Sequence, residues 1–215
     1  MQSKINYQLE TDRLLKALPT DRVPVLFLHA CCAPCSSYVL EYLSQYFAIT
    51  LFFYNPNIAP EEEYLHRKAE LKRLVQTMPL SHPVTILDGD YAPERFYALA
   101  KGLEQEPERG ARCQKCIGHR LEESFRAAAM QTPVPDFVCT TLTISPHKDA
   151  VWINTRGAEL AQQYGIPWLY TDFKKKGGYQ RSIALSREYD LYRQNFCGCV
   201  YSRLEAERRE QQHNS

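Results

Sequence analysis

Short apolar segments alternate with helical segments along this chain of 215 residues. Residues 25–30, 48–54 and 84–88 are apolar runs of strand length, and charged sequence with helical character separates them. After the first run, Ser36 and Ser37 are expected to cap a helix. Strands that are each followed by a helix predict an α/β fold, with a single, mainly parallel sheet and helices on both faces. Such sheets bind ligands beyond the carboxyl ends of their strands.

The second half of the chain continues this alternation. Residues 136–141 form another strand pattern, a helix is predicted over about 149–164, and residues 166–170 predict one more strand. No repeat, low-complexity tract or linker divides the sequence. We therefore expect one domain over residues 1–215, with a helical C-terminal extension.

Charge and hydropathy exclude several classes of protein. Lys and Arg number 26 and Asp and Glu number 25, so any site for a polyanion must be a local patch. Hydrophobic residues make up 44% of the chain, which excludes a disordered protein. No apolar run approaches the roughly 20 residues that span a bilayer. The N-terminal segment is charged rather than signal-like, so we expect a cytoplasmic protein without membrane contact.

Eight cysteines are the unusual feature of the composition. Seven fall into three clusters, namely Cys31, Cys32 and Cys35, then Cys113 and Cys116, then Cys197 and Cys199, and the eighth is Cys139. A chain of this length buries a core without disulfide cross-links, and no secretion signal is recognisable. The clusters therefore indicate metal binding or redox chemistry.

The first two clusters together offer four thiolates. A disulfide between Cys31 and Cys32 would be strained, because adjacent α-carbons lie about 3.8 Å apart, below the usual range of roughly 4.4 to 6.8 Å. Adjacent thiolates reach two irons of one cluster more comfortably than one tetrahedral zinc. Cys113 and Cys116 have a spacing common to zinc and iron-sulfur sites. The sequence therefore predicts either an iron-sulfur cluster or a closed structural zinc site.

The other cysteines have more than one interpretation. Cys35 follows Cys32 in the same loop, where it can bind a second metal or complete an alternative cluster. Cys197 and Cys199 flank a glycine, which permits the tight ring of a strained, labile disulfide suited to two-electron exchange. Metal binding by both of these sulfurs is the open alternative. Cys139 lies in a strand pattern and is expected to be a buried hydrophobic residue.

A basic segment follows the last predicted strand. Residues 174–181 contain two glycines and the following candidate nucleic-acid-binding residues: Lys174, Lys175, Lys176, Tyr179 and Arg181. Lysine and arginine pair with phosphates, and an exposed tyrosine ring stacks on an unpaired base. The alternative interpretation is a solvated surface loop.

Five motifs carry a resemblance to a known family. They are residues 29–35 (His-Ala-Cys-Cys-Ala-Pro-Cys), 112–121 (Arg-Cys-Gln-Lys-Cys-Ile-Gly-His-Arg-Leu), 141–148 (Thr-Leu-Thr-Ile-Ser-Pro-His-Lys), 172–173 (Asp-Phe) and 191–199 (Leu-Tyr-Arg-Gln-Asn-Phe-Cys-Gly-Cys). In this order they resemble the cobalamin-independent epoxyqueuosine reductase family over roughly residues 23 to 203.

The resemblance implies reduction of the epoxide of epoxyqueuosine at the tRNA wobble position. The products are queuosine and water, and the step is the last in queuosine biosynthesis. The resemblance also implies a 4Fe-4S cluster held by Cys31, Cys32, Cys113 and Cys116, a redox-active pair formed by Cys197 and Cys199, and an external electron donor that the sequence does not identify.

Three further implications follow from the resemblance. The fold is expected to be a variant of the nucleotide-hydrolase-like α/β fold, but residues 31–36 replace its Ser-Gly-Gly-x-Asp-Ser phosphate loop, so ATP activation is not expected. A mononuclear iron is expected near the cluster, with Cys35 as its candidate ligand and Asp172 as a weaker one. Asp172 is also a candidate proton donor. The basic segment 174–181 becomes the candidate tRNA-binding surface.

Two other functions fit parts of the pattern. A zinc-stabilised tRNA-binding module without redox activity would use the thiolates only to hold loops, and it would contain zinc instead of iron. A small-substrate thiol-disulfide oxidoreductase would need only Cys197 and Cys199, and it would stay active without Cys113.

Overall fold

The computed structural model of the protein describes residues 5–213. Four parallel strands form one sheet in the order β3-β2-β1-β4. Their bounds are Val25–Ala30 for β1, Ala48–Phe53 for β2, Val84–Asp88 for β3 and Phe137–Thr140 for β4. The predicted α/β class with a mainly parallel sheet is therefore confirmed.

Eight α-helices accompany the sheet within the described part of the chain. They are α1 Tyr7–Lys16, α2 Ala33–Leu43, α3 Glu61–Thr77, α4 Pro93–Ala100, α5 Ala111–Ala129, α6 Ala150–Tyr164, α7 Gly178–Glu188 and α8 Val200–His213. Helices α2, α3 and α7 cover one face of the sheet, and α5 and α6 cover the other. Helix α8 forms the predicted C-terminal extension. None of these helices is both long enough and apolar enough to cross a membrane.

The strands supply a core on each face because their side chains alternate between faces. In β1, Leu26 and Leu28 pack with residues of α2 and α3, whereas Phe27 packs with residues of α5 and α6. All three are fully buried, and each such burial is worth roughly 1.5 to 3 kcal/mol. Both cores share one sheet, which supports our proposal that the chain is a single domain, although residues 1–4 and 214–215 lie outside the described residues.

The strand predicted over 166–170 does not form. Trp168 makes only one isolated parallel bridge, to Val138 of β4. Its indole N–H instead donates to Asn154 Oδ1 of α6 at 3.0 Å, and the same amide side chain bonds to both the backbone N–H and the carbonyl oxygen of Thr171. Pro167 and Leu169 bond to the backbone of Val138 at 2.9 Å each, but the pairing goes no further. The prediction of a full strand was wrong because the backbone groups of the following Thr171 bond to a helix side chain instead of a strand.

Helix α2 begins earlier than its predicted serine cap. It starts at Ala33, with Cys32 in the extended N-cap conformation. Ser36 and Ser37 are buried inside the helix, where their hydroxyls donate to the carbonyl oxygens of Cys32 and Pro34. The serine cap was therefore wrong, and the first cysteine cluster lies at the start of the helix itself.

The strand order fixes where a ligand site can form. The chain runs from β1 to β2 and β3 on one side, and then crosses to β4 on the other side of β1. The connections therefore diverge between β1 and β4, and this reversal opens a crevice at the carboxyl ends of the two strands. The first cysteine cluster follows β1, and residues 141–148 follow β4.

Candidate metal and redox centre

The first cysteine cluster lies where β1 passes into α2. Cys31 follows the strand, Cys32 is the N-cap residue, and Cys35 lies in the first turn of α2. Their sulfur atoms lie within 4.8 Å of one another, with 3.7 Å between those of Cys31 and Cys32. Among residues 5–213, no other group of three metal-ligating side chains is this compact. This cysteine triad is therefore a candidate metal site.

Hydrogen bonds within the triad distribute its charge unequally. Hydrogen bonds from Cys31 and Cys35 lower the pKa of Cys32 well below its ordinary value. Burial acts in the opposite direction and raises this pKa, whereas the positive charge of Arg67 lowers it further. The bond with Cys32 raises the pKa of Cys31, and the bonds with Cys31 and then Cys32 raise the pKa of Cys35 well above its ordinary value. Of the three thiols, Cys32 therefore ionises most readily, and a thiolate is the form of cysteine that binds metals.

Four further cysteines border a narrow cavity. Cys113 and Cys116 are three residues apart in the first turns of α5, so they share one face of the helix. Cys197 and Cys199, which directly precede α8, border the same cavity. Burial raises the pKa of Cys116 to about 11. Sulfur atoms from two distant segments of the chain therefore surround one small space.

Arg120 lies between the two groups of cysteines and borders both the narrow cavity and a wider one beside the triad. Its Nε donates to the carbonyl oxygen of Cys116 at 3.4 Å, and its Nη1 donates to Asn55 Oδ1 at 3.2 Å. Asn55 in turn donates to the carbonyl oxygen of Ala30 at the end of β1. Burial lowers the pKa of Arg120, but the cysteines of both groups raise it by more. A permanent positive charge is thus held among the sulfurs.

Arg67 of α3 holds the loop that carries the third cluster. Its Nη1 donates to the carbonyl oxygen of Cys197 at 3.0 Å, its Nε pairs with Glu63 at 2.6 Å, and its guanidinium lies 5.1 Å from the centre of the Phe196 ring. Gly198 has a φ of 129°, and a β-carbon there would lie 3.1 Å from Arg67 Nη1. The left-handed backbone conformation therefore favours glycine, and a β-carbon at this position would crowd the guanidinium group.

The wider cavity has a volume of about 220 Å³. Its wall includes Cys31 and Cys35 of the triad and Cys197 of the third cluster. Polar and aromatic side chains complete part of the wall, among them His147, Tyr179, Arg193, Asn195 and Arg209. Cys197, Arg120 and Lys148 border both this cavity and the narrow one, so the two cavities share part of their walls.

A buried lysine contacts the sulfur of Cys197. The Nζ atom of Lys148 lies 3.1 Å from Cys197 Sγ and 3.4 Å from Glu108 Oε1, and only 7% of the lysine side chain is exposed. Burial lowers the pKa of Lys148, but the negative charges of Cys197 and Glu108 raise it by more, so the net shift is upward. The side chain is therefore an ammonium group.

His29 joins the ends of three strands instead of facing a ligand. One ring nitrogen bonds to Thr140 Oγ1 of β4 at 2.9 Å, and the other bonds to the carbonyl oxygen of Tyr54, just beyond β2, at 3.1 Å. Burial, together with the charge of Arg120, lowers the pKa of His29 to about 4. The ring is therefore neutral at pH 7, and it fixes the strand ends that carry the cysteines.

Two predicted residues lie away from the cavities. Asp172 borders neither cavity, and its carboxylate lies 2.7 Å from Lys174 Nζ. Its assignment as iron ligand and proton donor stays a prediction. Cys139 is fully buried in the core, where burial raises its pKa to about 12. This burial agrees with the interpretation of Cys139 as a hydrophobic residue.

The basic segment 174–181 is largely paired within the protein. Its ion pairs join Lys174 to Asp172, Lys176 to Asp12, and Arg181 to Glu41 and Glu188. Tyr179 lies on the wall of the wider cavity, so the segment adjoins the cysteines. Lys175 is exposed and makes no ion pair within the described part of the chain.

The structure divides the predicted set of four thiolates between two neighbouring groups. Cys31 and Cys32 lie with Cys35, whereas Cys113 and Cys116 border the cavity that Cys197 and Cys199 share. Arg120 borders the cavity beside each of the two groups. Ligation by Cys31, Cys32, Cys113 and Cys116 stays a prediction.

Sequence reasoning missed three residues of the site. Lys148 belongs to the motif at residues 141–148, but nothing in that motif indicated contact with a cysteine. Arg67 and Glu108 lie outside every motif, in charged segments that resemble solvated surface. Only their burial or position in the fold reveals them, because a charge pattern along one segment does not show which distant sulfur it faces.

The fold and the site define an α/β protein with a thiolate-rich centre at the carboxyl ends of β1 and β4. Comparison with known proteins adds the family, because residues 26–205 match the family described as epoxyqueuosine reductase QueH. The chain belongs to this family.

Three curated proteins named epoxyqueuosine reductase QueH illustrate the similarity. The protein of Streptococcus pyogenes serotype M1 is 40% identical over 202 residues, which cover 93% of this chain and 78% of that protein. The protein of Haemophilus influenzae is 42% identical over 180 residues, or 82% of this chain and 71% of that protein. The protein of Thermotoga maritima is 33% identical over 186 residues, or 84% of this chain and 91% of that protein.

Proposed function

We propose that this protein is an epoxyqueuosine reductase, which converts epoxyqueuosine in tRNA to queuosine in the last step of queuosine biosynthesis. One observation carries the proposal: in a chain of this family, cysteines from three segments border two cavities at the carboxyl ends of the neighbouring strands β1 and β4. Ordinary side chains do not supply the electrons for such a reduction, whereas thiols and thiolate-bound metals do. We place the reaction in the cytoplasm, with the tRNA.

The proposed redox pair is Cys197 and Cys199. Conversion of an epoxide to an alkene takes up two electrons and two protons and releases the oxygen as water. Oxidation of two thiols to a disulfide releases two electrons and two protons, so one turnover balances. An external electron donor, such as a dithiol, restores the two thiols by exchange.

Cys31, Cys32, Cys113 and Cys116 are proposed to hold a 4Fe-4S cluster, and Cys35 a neighbouring mononuclear iron, with Asp172 as a weaker second ligand and a proton donor. The donor set fits, because thiolates are the ligands of iron-sulfur clusters and three of these sulfurs lie within 4.8 Å of one another. Buried Arg120 offsets the negative charge that thiolate ligands bring. A bound cluster of this kind supplies single electrons.

The chain's own residues form the walls of the wider cavity, where the modified base is proposed to bind. The wider cavity is closed on one side by the triad and on another by the loop that Arg67 holds. Tyr179 offers an aromatic surface on the wall, against which a nucleobase can stack. His29 keeps the strand ends, and with them the cysteines, in a fixed relation.

The tRNA is proposed to bind around the mouth of the wider cavity. The basic segment adjoins the cavity through Tyr179, and exposed Arg193 lies on the cavity wall. Arg193 bonds to a neutral hydroxyl, that of Ser186, and, like Lys175, it forms no ion pair with a described carboxylate. These two cations therefore keep more of their charge for phosphates than Lys176 and Arg181 do.

Neutralising Lys175 and Arg193 is expected to weaken tRNA binding. In the double variant Lys175→Gln and Arg193→Gln, the slope of log affinity against log salt concentration is expected to fall by about 2, since each lost phosphate contact removes about 1. The dissociation constant for a tRNA anticodon stem-loop, measured at several salt concentrations, checks this. The matched control is Lys176→Gln with Arg181→Gln, whose cations are already paired. Equal effects in both double variants would contradict the assignment.

Metal analysis combined with an activity assay tests the proposed function. Anaerobically purified protein is expected to contain iron and sulfide, to absorb near about 400 nm and to reduce epoxyqueuosine in tRNA when a reductant is added. Colourless protein with stoichiometric zinc, no iron and no reduction of the tRNA would favour the zinc-stabilised tRNA-binding module instead.

A further inference from the structure

The two sulfurs of the proposed redox pair lie in different surroundings. Cys197 is partly exposed and borders both cavities, so this residue is accessible from the wider one. Cys199 is buried and borders only the narrow cavity, where its sulfur lies 3.4 Å from both the backbone nitrogen and the hydroxyl oxygen of Ser202. An incoming reagent in the wider cavity therefore meets Cys197 first.

The ammonium group of Lys148 is aimed at the sulfur of this accessible residue. It is more than nine-tenths buried, and its two close partners are Cys197 Sγ and Glu108 Oε1. A buried cation within hydrogen-bond distance of a cysteine favours the thiolate form. Two other charged groups are nearby. The negative charge of a Cys113 thiolate also raises the pKa of Lys148, and the positively charged Arg120 borders the same two cavities. The sulfur of Cys199 has Ser202 as its hydrogen-bonding neighbour instead of a lysine.

We propose that Lys148 is a positioning residue that holds Cys197 as a thiolate at the wall of the wider cavity. This makes Cys197 the first-reacting sulfur of the pair and Cys199 the resolving sulfur. When an external dithiol resets the disulfide, one donor sulfur bonds to Cys197, the bond between the two cysteines breaks, and Cys199 leaves with the electron pair. The second donor sulfur then displaces Cys197, whose thiolate returns to the ammonium group, and the donor is oxidised to its disulfide.

The role in turnover rests on the proposed function, but the thiol chemistry is measured without tRNA. The reduced, metal-containing protein is treated with iodoacetamide, and modification of each cysteine is followed by mass spectrometry. A sulfur–carbon bond forms and iodide leaves, so the rate reports the fraction of thiolate and its accessibility. We expect Cys197 to react first, Cys199 more slowly, and core residue Cys139 not at all.

Removing the ammonium group is expected to slow this reaction selectively. In Lys148→Met, the Cys197 alkylation rate at pH 7 is expected to fall by about tenfold, because the sulfur loses its buried cationic partner. Lys148→Arg, which keeps the charge, is expected to retain most of the rate. Lys101→Met, at an exposed lysine that lines neither cavity, serves as the control.

A second variant separates this effect from misfolding. Glu108→Gln is expected to raise the Cys197 rate, because Lys148 then has one anionic partner instead of two. An unchanged rate in Lys148→Met, equal slowing in Lys148→Met and Glu108→Gln, or faster alkylation of Cys199 would each overturn the proposal. Protection of Cys197 that a chelator removes would also overturn it, since Cys197 would then be a metal ligand. A wild-type protein that shows the expected rates but does not reduce epoxyqueuosine refutes only the proposed function.

Discussion

The Cys113→Ala protein is expected to lose its iron and at least about 100-fold of its activity on epoxyqueuosine-containing tRNA. Changes beside metal ligands already cost about 10- to 100-fold in metal affinity or activity, so loss of a ligand reaches or exceeds that range. Cys113 borders the narrow cavity with three other cysteines, and no neighbouring oxygen or nitrogen ligand completes a compact group there among residues 5–213. Iron per chain, the visible spectrum and turnover measure the effect.

The matched control for this change is Cys139→Ala. Cys139 is also a cysteine, but it is fully buried in the core and borders neither cavity. Its replacement is expected to lower stability through a small cavity and to leave the iron content unchanged. If Cys113→Ala instead keeps its full activity, the iron-sulfur proposal fails, and a thiol-disulfide oxidoreductase that uses only Cys197 and Cys199 becomes the better description.

Replacing Arg120 with methionine is expected to have the largest effect on stability. Arg120 is fully enclosed among cysteines of both groups and bonds to the backbone of Cys116 and to Asn55. Removing one partner of a buried charge pair typically costs about 3 to 5 kcal/mol, because the other charges remain buried without compensation. We therefore expect a fall of that size in the free energy of unfolding in urea, together with lower iron content.

Two further variants make this result interpretable. Arg120→Lys keeps a positive charge and is expected to recover part of both the stability and the iron content. Arg126→Met removes another arginine of α5, one that is 57% exposed and paired with Glu123, and surface pairs contribute only about 0 to 1 kcal/mol. Equal stability of Arg120→Met and Arg126→Met would show that the buried cation does not offset charge among the sulfurs.

The sequence predicted the position of the site well. Strand-length apolar runs followed by helices indicated a parallel sheet, and parallel sheets expose their strand ends at one edge. The cysteines after β1 and the motif after β4 were therefore expected in one crevice, and the structure brings Cys31 and Lys148 to the wall of the same cavity. The strand predicted over 166–170 is reduced to one bridge with β4, because the backbone of the following Thr171 bonds to Asn154 of α6 instead of to a strand.

The grouping of the cysteines could not be predicted in the same way. Cys35 is close to Cys31 and Cys32 because α2 begins at Ala33, whereas the sequence indicated a later start at Ser36. Similarly, Cys113 and Cys116 border a cavity with Cys197 and Cys199 because Arg67 and Lys148 hold the C-terminal loop against it. Helix boundaries and loop positions depend on tertiary contacts that local sequence does not encode.

By itself, the sequence determined the fold class, the cysteines available for chemistry and the resemblance that led to the family. These depend on residue type and on short-range periodicity, which are properties of the chain alone. The tertiary structure decided which sulfurs are neighbours, which of them reaches the wider cavity, and that Arg67, Arg120 and Lys148 are buried cations rather than solvated ones. A charge buried beside a thiolate acquires its role only when folding removes water from between them, so no linear pattern of residues contains that information.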